Sequence, residues 1–130
     1  CLFASVAYAL EGGVTCPVIR SVALREVCAS EVEAGRYCEA MLGKPPSEYA
    51  SWIRHQANWG GGIELDILSR HYKTEIAAFD CSTTRVDRFG DGQGYSQRVL
   101  LIYDGIHYDV LVRSLFEGAP AELDVTVFKM

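Results

Sequence analysis

Two strand-like runs, Arg98 to Tyr103 and Ile106 to Val112, meet at Asp104-Gly105, and that dipeptide between apolar strands is the strongest short-range hairpin signal a sequence carries. It commits the second half of the chain to antiparallel pairing. Glu75 to Phe79 and Arg85 to Phe89 read as two more short strands, followed by a glycine-rich loop over 90 to 94. The tail from Leu115 to Met130 reads as a surface wrap with one short strand at Val125 to Phe128.

The first half has a helical period instead. Leu2, Val6 and Ala9 or Leu10 share one stripe of a helix over residues 2 to 10, closed by Gly12-Gly13. From Val18 to Val32 a second helix keeps Ile19, Val22, Ala23 and Val27 in register behind Pro17, with Arg20, Arg25 and Glu26 on its exposed face. A short turn with Tyr37 and Met41 stops at Gly43, and Ser47 is the expected cap of a helix bearing Tyr49, Trp52 and Ile53. The last helical pattern, Ile63 to Tyr72, aligns Ile63, Ile67, Leu68 and His71. Helices first and strands after predict one α+β domain over residues 1 to 130.

Charge and composition remove several functions. Twelve basic against seventeen acidic residues give a net charge of −5, which leaves nucleic acid without electrostatic attraction. No apolar run approaches the roughly 20 residues of a membrane-spanning helix, so membrane insertion is not expected. The opening run Cys1 to Leu10 lacks the basic flank and cleavage step of a signal peptide. Cys1, Cys16, Cys28, Cys38 and Cys81 are odd in number and form no C-x-x-C pair, which favours a reducing, cytoplasmic setting over a disulfide framework. His55, His71 and His107 form no metal-binding pattern, and no metal or other cofactor is expected. His55 reads as solvated; His71, Cys16, Cys28, Cys38 and Cys81 read as core residues.

The chemistry-bearing candidates are few. Cys1 leads a helix, where unpaired N–H groups favour thiolate, although a lone cysteine is more often a small buried hydrophobe. His107 and Asp109 are spaced to share one face of a strand, so the carboxylate can hold the imidazole; chance His-x-Asp pairs are common. A nucleophile leading an early helix and a histidine on a strand about a hundred residues later form the layout of papain-like cysteine proteases. Trp59-Gly60-Gly61-Gly62 lacks the lysine of a phosphate loop and reads either as a slot for an extended backbone or as a flexible helix cap.

Together, Cys1-Leu2-Phe3, Trp59-Gly60-Gly61 and the string from Leu101 to Asp109 resemble the ovarian tumour (OTU) domain deubiquitinases over nearly the whole chain. Ile63-Glu64-Leu65, the string Arg85 to Gly90 and Tyr108-Asp109 are most similar to the subgroup that partners the hexameric AAA ATPase of endoplasmic-reticulum-associated degradation. The resemblance implies a papain-like fold with helices on a small, mainly antiparallel sheet. It implies a thiol isopeptidase acting on ubiquitin and polyubiquitin chains, with Cys1 as nucleophile, His107 as general base and Asp109 orienting the imidazole. Ile106, Trp59, Gly60 and Gly61 would contact the ubiquitin tail, whose Gly-Gly end needs a slot too tight for side chains.

Two departures accompany the resemblance. The family's aspartate three residues before the cysteine is not in this sequence, and neither are the subgroup's upstream ATPase-binding domain and its downstream zinc finger. A catalytic-domain fragment of weak turnover is therefore expected, since losing oxyanion donors costs about 10²- to 10³-fold. A non-catalytic ubiquitin-binding module and an N-terminal nucleophile amidohydrolase using the amine of Cys1 are the alternative readings.

Overall fold

The computed structural model describes residues 2–11, 17–114, 116–119 and 124–129; Cys1, Gly12-Gly13 and Cys16 lie outside the described residues. Among the described residues five helices come first: α1 (Leu2–Glu11), α2 (Pro17–Glu33), α3 (Glu39–Leu42), α4 (Pro46–Arg54) and α5 (Gly62–Tyr72). Strands β1 (Glu75–Asp80), β2 (Val86–Phe89), β3 (Gln97–Tyr103), β4 (Tyr108–Leu111) and β5 (Phe128–Lys129) follow. This is the α+β order predicted from the sequence.

The sheet order is β2-β1-β3-β4, with β5 also on β3. β1 pairs antiparallel with β2, and β3 pairs antiparallel with both β4 and β5. The central ladder, Glu75↔Arg98 to Asp80↔Tyr103, is parallel. The sheet is thus mainly antiparallel at its flanks, with a parallel seam that strand patterns alone do not reveal. Ile76 and Ala78 of β1 and Val99 and Leu101 of β3 alternate onto a face buried in one continuous core. That core takes Leu2, Phe3 and Val6 from α1, Ile53 from α4, and Leu65 and Leu68 from α5.

Several local expectations need correction. The buried stripe of α2 runs through Leu24, Arg25, Cys28, Ala29 and Val32, whereas Val22 is 47% exposed. Arg25 therefore faces inward, because α2 is packed by both α1 and α4 on that side. The cap of α4 is Pro45, with Pro46 in its first turn, rather than Ser47; a leading proline has no N–H to satisfy. His71, Cys38 and Cys81 are exposed rather than core, and only Cys28 of the described cysteines is buried. The hairpin loop has four residues, Asp104 to His107, because Tyr103 pairs with Tyr108.

α1 is fastened to the far end of the chain. The Ser5 hydroxyl donates to the Tyr108 carbonyl at 3.0 Å, the Tyr8 hydroxyl to Asp124 Oδ2 at 2.8 Å, and the Thr126 hydroxyl to the Ala9 carbonyl at 2.7 Å. The first turn of α1 is thereby held beside the β3–β4 hairpin.

Candidate active site

The hairpin loop is built by its own first residue. Asp104 Oδ1 accepts the N–H groups of Ile106 at 2.8 Å and His107 at 2.7 Å, and the Asp104 N–H returns to the His107 carbonyl at 3.2 Å. These donated bonds, that of His107 foremost, hold the Asp104 carboxyl below its ordinary value. Gly105 takes φ +98°, a conformation that favours glycine. Tyr103 and Tyr108 stack across the loop base with centroids 4.4 Å apart, and the Tyr103 hydroxyl donates to the Gly105 carbonyl at 2.9 Å. The loop thus presents Ile106 and His107 to solvent on a braced frame.

Opposite it lies the segment before α5. The Gly61 N–H donates to Glu64 Oε1 at 2.7 Å, and the Tyr49 hydroxyl donates to Glu64 Oε2 at 2.6 Å. Glu64 is only 1% exposed, and burial raises its carboxyl pKa despite these two donors. Burial and the same contact push the Tyr49 hydroxyl up. The Trp59–Gly62 segment is therefore tied at Gly61 to a carboxylate held within the core.

Between the two walls is a cavity of about 170 Å³. Trp59, Gly60 and Gly61 line one side, Ile106, Tyr103 and Tyr108 the other, and Leu2, Phe3, Arg25 and Gln56 complete it. A Cβ placed on Gly60 would stand 3.0 Å from Phe3 Cε2 and 3.1 Å from Cζ, so the glycine packs directly on that ring. Trp59 is 63% exposed and sets its indole against the His107 imidazole, with centroids 6.2 Å apart.

Trp59, Gly60, Gly61 and Ile106 thus meet at one cavity, His107 stands at its rim, and Leu2, the neighbour of Cys1, lies in its lining. Cys1 itself is outside the described residues. Asp109 is exposed on β4, paired across the ladder with Ile102; among the described residues no hydrogen bond joins its side chain to His107. No group of three or more His, Cys, Asp or Glu side chains suited to a metal occurs among the described residues. Nor is any described helix long and apolar enough to cross a membrane.

Three contributors escaped the sequence reading: Arg25, Glu64 and Tyr49. Arg25 precedes Ala29 and Val32 by four and seven positions, the spacing of a shared helix face, and that spacing was the available signal. Glu64 stands three residues after Gly61, where a carboxylate can reach back to the start of the helix. Burial pushes the Cys28 thiol well above its ordinary value, which leaves it an inert core group.

No family model matches the chain. Ubiquitin thioesterase OTU1 of Gallus gallus is 53% identical over 119 residues, covering 88% of this chain and 38% of that protein. The protein of the same name from Dictyostelium discoideum is 46% identical over 132 residues, covering 100% of this chain and 40% of that protein. An ovarian tumour domain-containing deubiquitinating enzyme 2 of Arabidopsis thaliana is 43% identical over 130 residues, 98% of this chain and 61% of that protein. The chain therefore spans about two fifths of the OTU1 relatives it matches. A solved ovarian tumour domain in complex with ubiquitin superposes with a TM-score of 0.83 at 30% identity, covering 99% of this chain and 68% of that one.

Proposed function

The chain belongs to the ovarian tumour (OTU) domain family, and from that membership we propose that it is a thiol-dependent deubiquitinase. The observation that carries the reading is the narrow cavity in which the Leu2 turn, the Trp59–Gly61 wall and the Ile106–Tyr108 hairpin converge. A strand ending in Gly-Gly suits a cavity of about 170 Å³ whose wall is itself glycine at positions 60 and 61. The net charge of −5 favours a substrate tail that carries arginines.

In this reading Cys1 attacks the isopeptide carbonyl as thiolate, and the tetrahedral adduct collapses to an acyl-enzyme as the lysine amine leaves. His107 draws the thiol proton and gives a proton to the departing amine; it then activates water, which releases ubiquitin and restores the thiol. Asp109 steadies the imidazolium through the field along β4. Ile106, Trp59, Gly60 and Gly61 hold the tail extended. Ubiquitin and polyubiquitin chains are the proposed partners. The finer resemblance extends the role to endoplasmic-reticulum-associated degradation in the cytoplasm, beside a hexameric AAA ATPase engaged by a flanking domain.

Ubiquitin bearing a C-terminal electrophile tests the reading in the full-length protein. Adduct formation at Cys1 that disappears in Cys1→Ala and weakens in His107→Ala is the expected result. Labelling that survives Cys1→Ala refutes the assignment. Tight ubiquitin binding with no linkage cleaved makes the domain a binding module instead.

A further inference from the structure

Arg25 is a cation in an unusual place. It is 8% exposed, yet no carboxylate pairs with it among the described residues. Its Nη1 donates to the carbonyls of Ile53 at 2.8 Å and His55 at 3.0 Å, and Nη2 donates to that of Gln56 at 3.2 Å. These carbonyls end α4, where no intrahelical donor remains and the helix dipole favours positive charge. The guanidinium also lies over the Phe3 ring, with Cζ 4.4 Å from its centroid. Phe3 in turn is the side chain that Gly60 leaves no room to avoid.

One side chain thus links the end of α4, the first turn of α1 and the glycine wall of the cavity. Stability alone does not call for an arginine here, because apolar replacements of buried ions are often neutral or better. What the planar fork supplies is a fixed distance between three carbonyls and one ring.

We infer that Arg25 is a positioning residue, which through Phe3 backs Gly60 and so fixes the place of the glycine wall along which the two C-terminal glycines of ubiquitin lie. This rests on the deubiquitinase reading of the cavity. Without the guanidinium the Phe3 ring is free to tilt, and Gly60 loses the side chain it packs against. Substrate capture suffers before the chemistry does.

The test compares Arg25→Met, Arg25→Lys, Phe3→Leu and the Arg25→Met/Phe3→Leu double variant of the full-length protein. Hydrolysis of ubiquitin carrying a fluorogenic C-terminal amide gives kcat and KM, circular dichroism gives the folded fraction, and amide hydrogen exchange reads Gly60 and Gly61. Arg25→Met is expected to raise KM about tenfold with kcat within about threefold, the pattern of lost binding. Lysine keeps the charge without the plane and falls between. The double variant should be no worse than the worse single variant, because both act through one contact. Should Arg25→Met fail to fold, Arg25→Lys and Phe3→Leu carry the same comparison.

An unchanged KM in folded variant protein, or KM effects that multiply in the double variant, overturns the inference. Wild-type protein that cleaves no ubiquitin bond removes the deubiquitinase reading instead. Unchanged exchange at Gly60 and Gly61 in Arg25→Met overturns the positioning role whether or not the protein cleaves.

Discussion

The indole of Trp59 and the imidazole of His107 approach to 6.2 Å between centroids, their planes inclined by 47°, although one side chain precedes α5 and the other closes the β3–β4 loop. The tryptophan is 63% exposed, so the fold gains little from it. Trp59→Ala should change unfolding free energy by no more than about 0.5 kcal/mol, as exposed substitutions do. The same variant should raise KM for ubiquitin substrates about tenfold, as loss of an aromatic anchor does. Urea unfolding and steady-state kinetics on one preparation check both, and a large stability loss with normal KM contradicts the assignment.

Gly60 and Gly61 should separate cleanly. An added Cβ at Gly60 meets Phe3 at 3.0 Å, whereas at Gly61 nothing lies within 4 Å and φ is −152°, open to any residue. Gly60→Ala is expected to cost about 1–3 kcal/mol by overpacking and to abolish ubiquitin hydrolysis. Gly61→Ala is expected to fold with stability within about 1 kcal/mol of wild type. Thermal unfolding of the two variants side by side decides it.

Glu64 gives the molecule a pH signature. Burial lifts its carboxyl above the ordinary 4.5, so the folded state holds the proton over a window where the unfolded chain has released it. The contribution of this group to stability is complete below that ordinary value and is lost as pH climbs through the raised one. In Glu64→Gln the group no longer titrates. The Tm difference, wild type minus variant, should therefore fall as pH rises from 4 toward neutrality, measured at about half-unit steps. A difference that is flat or rises with pH contradicts the stated sign.

His107 and Asp109 should not weigh equally. His107→Ala should remove hydrolysis below detection. Asp109 is solvent-exposed and makes no hydrogen bond to the imidazole, so Asp109→Asn should lower kcat by about 10- to 100-fold, short of the roughly 10⁴-fold of a buried triad carboxylate. Steady-state hydrolysis of a ubiquitin substrate by the two variants side by side checks the difference.

Much of this was legible from residue order because local signals and tertiary demands agree. The helix patterns before residue 73 and the strand patterns after it reflect the two side-chain periods, and those periods decided each element. Long-range choices were another matter. Nothing local distinguishes a β1 that pairs parallel with β3 from one that does not, because the crossover depends on where β2 turns back. Asp104-Gly105 reads as a two-residue turn, yet the Asp104 carboxylate collects the next two loop amides and lengthens the loop to four residues. Charge concealed the true face of α2, since an arginine in a buried stripe defeats a hydrophobicity count. Family likeness singled out Trp59, Gly60, Gly61 and Ile106, which line one cavity, whereas Arg25 and Glu64 act on backbone groups and leave only a spacing behind.

The bond from Ser5 to the Tyr108 carbonyl joins groups 103 positions apart in the chain. While the polypeptide is being translated, α1 emerges long before the hairpin that faces it. Closing so long a loop is entropically slow and comes late in folding. A ribosome-bound nascent chain therefore holds one jaw of the cleft without its counterpart, and the cavity closes only once synthesis has passed the hairpin.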